Sequence, residues 1–246
     1  MAHATVTGAA SGIGAATARL LAARGMRVGL LDVRGDAVRA VASEIGGDAY
    51  AVELDVTDAA SVARAFAGLD GLTVLVNAAG LVVVDAFEAF GAEDWHRTHE
   101  VNVVGTYRCM LAALPALREA PAPARIVNVA SAAGKRAAPT LAPYAASKAA
   151  VISLTRSAAA AWAPDVLVNC VYPGLVETPM WEAIDARLEA IGAPPGARYA
   201  ERARSLPIGR ASTADEVAAA IAFLCGPDAG SITGADVDVD GGMSLG

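Results

Sequence analysis

The sequence predicts an α/β fold: a doubly wound, seven-stranded parallel sheet with helices on both faces. Three observations carry this. Short apolar runs alternate with longer Ala- and Leu-rich stretches of helical period along the chain. Several of the runs are apolar throughout, as expected of strands covered on both faces. Polar candidates follow directly after these runs, and ligands of such sheets bind beyond the carboxyl ends of the strands. The chain has 246 residues, of which 55% are hydrophobic and 18% charged. That is enough for one sizeable core, so a single domain over 1–246 is expected.

In chain order, the strand runs are Ala4–Thr7, Val28–Leu31, Tyr50–Leu54, Thr73–Val76, Ile126–Val129, Val166–Val171 and Val237–Val239. Helical periodicity is found near 13–24, 36–45, 58–68, 92–118, 143–163, 180–203 and 214–224. Nineteen basic against 26 acidic residues give a net charge of −7. This argues against nucleic acid or an anionic membrane as partner, since both reward clustered Lys and Arg. The N-terminus lacks a basic region followed by an apolar stretch, and no apolar run is long enough to span a bilayer. A soluble, cytoplasmic protein is the expectation. Cys109, Cys170 and Cys225 are widely spaced among apolar residues and read as reduced, buried thiols.

After the first strand, Thr7-Gly8-Ala9-Ala10-Ser11-Gly12-Ile13-Gly14 leads into a helix. Glycines there permit a tight turn and close approach of backbone to a pyrophosphate, which the helix N-terminus favours. The spacing is G-x-x-x-G-x-G rather than G-x-G-x-x-G, but its place between first strand and first helix favours nucleotide binding. Asp32, followed by Val33, comes directly after the second strand. A carboxylate there can accept both adenosine ribose hydroxyls and repels a 2′-phosphate, which points to NAD. Arg34, two positions on, argues the other way. Asp55-Val56 follows the third strand and Asn77-Ala78-Ala79-Gly80 the fourth. Asp55 can accept from an adenine amino group, and the small residues let backbone pack against a cofactor. The segment from Glu93 to Glu100 holds His96 and His99 but lacks the H-E-x-x-H order, so no metal site is expected. Asn102, interior to the next stretch, needs a buried partner.

Ser131 follows the fifth strand, and Tyr144 and Lys148 lie one helical turn apart beyond it. An ammonium beside a phenol favours the phenolate, so such a Tyr can exchange a proton with an alcohol or carbonyl oxygen that Ser131 holds. Pro173-Gly174-Leu175-Val176-Glu177-Thr178 follows the sixth strand.

Taken in this order and spacing, these residues resemble the short-chain dehydrogenase/reductase family over essentially the full chain. Asn-Ala-Ala-Gly at 77–80 replaces the commoner Asn-Asn-Ala-Gly, and the stretch between Asp58 and Leu72 is a little short. The resemblance implies a Rossmann fold binding NAD. Tyr144 is then the acid/base, Lys148 lowers its pKa and binds the nicotinamide ribose, and Ser131 positions the substrate oxygen. Asn102 anchors a water in a proton relay, and Thr178 holds the carboxamide. The Gly8–Gly14 loop, Asp32, Val33, Asp55, Val56, Asn77–Gly80, Pro173, Gly174 and Val176 complete the cofactor site. A homotetramer is implied, with the last strand and the 92–118 helix at interfaces. The stretch from Pro173 to Asp185, with Leu206-Pro-Ile-Gly209-Arg210, resembles acetoin/2,3-butanediol dehydrogenases. The Ala-Gly-Lys-Arg run at 133–136 resembles polyol dehydrogenases of the sorbitol and galactitol type.

The expected substrate is therefore a small secondary alcohol or ketone, under a lid near 178–208 that Met180 and Trp181 begin. Lys135 and Arg136 are read as solvated charges rather than contacts to an anionic or polyhydroxylated substrate. An NADPH-dependent 3-oxoacyl thioester reductase is the competing enzyme. A nucleotide-binding scaffold without turnover is disfavoured, because it has no need of Ser131, Tyr144 and Lys148 together.

Overall fold

A computed structural model describes residues 2–121, 123–193 and 198–245. Its elements, in order, are β1 (His3–Thr7), α1 (Gly12–Ala23), β2 (Arg27–Asp32), α2 (Gly35–Ile45), β3 (Tyr50–Glu53), α3 (Ala59–Phe66) and β4 (Leu72–Asn77). Then come α4 (Ala92–His99), α5 (Thr106–Arg118), β5 (Ala124–Val129), α6 (Ala142–Trp162) and β6 (Val166–Pro173). The chain continues through α7 (Pro179–Ala190), α8 (Tyr199–Ser205), α9 (Ala214–Leu224) and β7 (Asp236–Val239).

The strands form one parallel seven-stranded sheet in the order β3-β2-β1-β4-β5-β6-β7. Strand residues point alternately to opposite faces, so each strand feeds two cores. On one face Ala4, Val6, Val28, Leu30, Val74 and Val76 pack with Leu21 of α1, Val38 of α2 and Ile221 of α9. On the other, Leu31, Leu72, Leu75 and Ile126 pack with Phe66 of α3, Met110 and Leu117 of α5 and Ala158 of α6. Burial on both sides is why the runs read as apolar throughout. Winding reverses between β1 and β4, and the chain leaves both strands at the same edge, which opens a crevice there.

Two expected helices are divided. The 92–118 stretch is broken by a π-helical turn, Glu100–Gly105, between α4 and α5. The extra residue of such a turn shifts side-chain phase without ending the helix, so periodicity does not betray it. The 180–203 stretch becomes α7 and α8, and residues 194–197 of the expected lid lie outside the described residues. Cys109, Cys170 and Cys225 are buried and free, and burial pushes the Cys109 and Cys225 thiols up to about 12. His96 and His99 are exposed on α4. No helix among the described residues is long and apolar enough to cross a membrane.

Candidate active site

A cleft of about 530 Å³ runs along the carboxyl ends of the strands. Its glycine loop is built on two close approaches. A Cβ on Gly8 would lie 2.7 Å from the Ala78 carbonyl oxygen, and one on Gly14 2.2 Å from that of Gly8. Thr7 Oγ1 accepts from the N–H groups of Ala78 (3.2 Å) and Ala79 (3.1 Å), which ties the loop after β4 to the end of β1. Ser11 makes no capping bond to α1, and the first turn holds no acidic residue. The leading N–H groups and positive end of α1 therefore remain for an anion, as a pyrophosphate requires. Gly8, Ser11, Gly12, Ile13 and Gly14 all line this end.

Asp32 and Val33 line the same end. The buried Asp32 carboxylate accepts from Ala10 N and Arg34 N, both at 3.0 Å, and from Arg34 Nε at 3.2 Å. Arg34 in turn donates to Ser11 Oγ at 2.8 Å. The cation read as an argument against Asp32 is thus folded onto it. Asp55 Oδ1 accepts from Thr57 N (2.8 Å) and Thr57 Oγ1 (2.7 Å), and Asp55 and Val56 line the cleft beside Asp32.

Toward the other end the cleft is lined by Ala78, Ala79, Gly80, Ser131, Tyr144, Lys148, Pro173, Gly174, Val176 and Thr178. Lys148 is buried and donates to the Val129 carbonyl at 2.8 Å. Burial lowers its pKa to about 8. Its Nζ is 5.6 Å from the Tyr144 ring centre. The Tyr144 phenol is pushed up by burial, with the Ser131 hydroxyl pulling it back down. Ser131 Oγ accepts from Ala133 N at 3.1 Å, which fixes it at the start of the turn after β5.

Two residues named from the sequence do not line the cleft. Asn77 turns into the sheet, where its Nδ2 donates to Asn128 Oδ1 at 2.9 Å, and Asn128 donates to Thr155 Oγ1 at 2.9 Å. Asn102 sits in the π-helical turn. Its Oδ1 accepts from Leu81 N (2.7 Å), and its Nδ2 donates to Leu81 O (2.9 Å) and Ser147 Oγ (2.8 Å). It joins the loop after Gly80 to the catalytic-candidate helix α6. Its side-chain amide and oxygen both bond to protein groups.

Ser131 and Tyr144 also open onto a second, smaller cleft of about 230 Å³. Its walls include Leu141, Trp181, Ile184 and Leu188, with Arg136 and Arg202 among the lining residues. Helix α7 is pinned over it by Arg187, which donates to Val84 O at 3.2 Å and ion-pairs with Asp85. Arg202 carried no sequence signal, since it sits on a short helix whose place only the fold decides. Lys135 and Arg136 part company: Lys135 is bound to Asp238 at 2.6 Å, while Arg136 faces the cleft.

A family model described as enoyl-(acyl carrier protein) reductase matches residues 8–244. The chain is 42% identical over 249 residues to cis-4-hydroxycyclohexanecarboxylate dehydrogenase of Sinomonas cyclohexanicum, covering 98% of this chain and 96% of that one. It is 36% identical over 245 residues to sorbitol dehydrogenase of Cereibacter sphaeroides, with 97% and 96% covered. A solved 3-ketoacyl-(acyl-carrier-protein) reductase from Brucella melitensis, complexed with NADH, superposes with a TM-score of 0.87 at 34% identity over 98% of both chains. With two clefts meeting at Ser131 and Tyr144 and these likenesses spanning its length, the chain belongs to the short-chain dehydrogenase/reductase family of oxidoreductases.

Proposed function

We propose that the protein is an NAD-dependent dehydrogenase that interconverts a small secondary alcohol and its ketone. One observation carries the reading: Ser131 and Tyr144 stand where the two clefts meet, with Lys148 buried behind them. A group placed there touches both a dinucleotide in the larger cleft and a substrate in the smaller. The nicotinamide ring, when bound, supplies the acceptor or donor of hydride. The Ser131 hydroxyl holds the substrate oxygen by hydrogen bonding. The Tyr144 phenol, held protonated by burial, gives its proton to a carbonyl oxygen in reduction; in oxidation the phenol first releases its proton to solvent and the phenolate then takes the proton of the alcohol. Lys148 uses one N–H on Val129 O and offers the others to ribose hydroxyls. Asn102 acts through Ser147 and Leu81, holding α6 and the loop after Gly80 in register.

The larger cleft suits a dinucleotide. The Gly8–Gly14 loop and α1 would take the pyrophosphate, and Asp32 would hold the adenosine ribose. Asp55 and Val56 would hold the adenine, and Ala78–Gly80 and Thr178 the nicotinamide half. Asp32 supports NAD over NADP through its charge. Arg34 favours a second reading, NADPH-dependent reduction of a 3-oxoacyl thioester, because its guanidinium needs only to leave Asp32 to meet a phosphate. Exposed Trp95, Tyr107 and Leu111 on the α4–α5 arm support self-association there, within the homotetramer expected for a cytoplasmic enzyme of this family.

The test is Tyr144→Phe, assayed with NAD⁺ against diols, polyols and hydroxy acids. NADH binding should persist while turnover falls about 10²- to 10⁴-fold. Near-normal turnover in the variant would remove Tyr144 from the proton transfer.

A further inference from the structure

The smaller cleft is apolar along Leu141, Trp181, Ile184 and Leu188, yet two cations line it. Arg136 comes from the turn after β5 and Arg202 from α8. The Arg202 guanidinium lies 5.3 Å from the centre of the Trp181 ring, which orients it against the wall of the cleft. Several neighbouring cations are paired with carboxylates: Lys135 with Asp238, Arg187 with Asp85, Arg198 with Glu189 and Arg210 with Glu216, while Arg204 of α8 donates to the Ala200 carbonyl. Among the described residues, neither Arg136 nor Arg202 is in an ion pair with a carboxylate. Asp185, whose field does reach Arg202, is engaged by the Tyr199 N–H at 2.9 Å. The two arginines also feel one another: burial first, and then the charge of Arg136, lower the pKa of Arg202. Like charges brought together in a partly desolvated cleft are costly unless an anion completes the site.

We infer that the substrate is an anionic secondary alcohol, whose carboxylate, sulfonate or phosphate is held by Arg136 and Arg202 while its carbinol lies at Ser131 and Tyr144. The apolar wall between these points suits a hydrocarbon ring or short chain separating the two groups. A guanidinium pair grips an oxyanion through charge-assisted hydrogen bonds, which a hydroxyl-only polyol does not return. The inference rests on the proposed role of Ser131 and Tyr144.

The experiment compares 4-hydroxycyclohexanecarboxylate and 3-hydroxybutyrate with their methyl esters, and with sulfonate and phosphate counterparts, in wild-type, Arg136→Gln, Arg202→Gln and Arg202→Lys proteins. The wild type should prefer the anion to the ester by about tenfold or more in kcat/KM. Each Gln variant should bring that ratio toward one, chiefly through KM, and Arg202→Lys should restore part of it. The order among carboxylate, sulfonate and phosphate identifies the anion. Alongside, thermal shifts with cyclohexanecarboxylate and cyclohexanecarboxamide report binding without turnover. The carboxylate alone should stabilise the wild type, and the double Gln variant should lose that response. Equal treatment of acid and ester by the wild type, or no carboxylate-specific thermal shift, would overturn the inference. Tyr144→Phe keeps the two readings apart: it should retain the carboxylate shift while losing turnover. Retained turnover with an intact shift would count against the proton-transfer role alone.

Discussion

Lys148→Met should change how the ligand-free protein responds to pH, and the size of the change follows from the site. Lys148 is buried against the Val129 carbonyl, and burial lowers its pKa from 10.5 to about 8. The folded protein therefore resists protonating a side chain that the unfolded chain protonates freely. Above the unfolded value of 10.5 both states are neutral and there is no penalty. As pH falls through the folded value the penalty grows to its full extent, about 3 kcal/mol for a shift of this size. Between pH 7 and pH 9.5 wild type should gain roughly 2 kcal/mol of stability relative to Lys148→Met. The buried thiols act in the opposite direction above their unfolded value of 9.0, but they are shared by both proteins and cancel in the difference. Urea unfolding of the two proteins at both pH values, with reductant and without cofactor, measures this. A stability difference that does not move with pH would refute the claim that burial of Lys148 costs stability.

Two further outcomes are expected from the cofactor end. Asp32→Ala removes the carboxylate and frees Arg34, so the NADP-to-NAD ratio of kcat/KM should rise about tenfold to a hundredfold; an unchanged ratio would relieve Asp32 of the selection. Gly14→Ala places a methyl 2.2 Å from the Gly8 carbonyl oxygen, where only backbone can yield. The overpacking should cost about 1–3 kcal/mol, lower Tm by several degrees and weaken NADH binding. Unaltered Tm and NADH affinity would show that the loop does not depend on that approach.

Much of the fold is legible in the chain because its signals are local. Val28–Leu31 and Ile126–Val129 lie within the strands the structure forms, since a strand buried on both faces is mostly apolar and its one polar side chain here, Asn128, finds buried partners. The glycines from Gly8 to Gly14 announce a tight turn, because at Gly8 and Gly14 a side chain would run into backbone. The continuity of 92–118 misleads, because a π-helical turn keeps apolar residues inside while it rotates the helix beyond it. Asn102 is readable as a buried polar residue in need of partners, but those partners, Leu81 and Ser147, come from elsewhere in the chain.

By itself the sequence determines the alternation of strand and helix, the glycine loop and the Tyr144–Lys148 turn, because each depends on neighbours within a few residues. Only the tertiary structure decides that Arg34 folds onto Asp32, that Asn77 faces the sheet interior, and that the Tyr144 phenol is buried within reach of Ser131. It alone brings Arg136 and Arg202 to one cleft. Charge and burial act through space, and distance along the chain does not measure them.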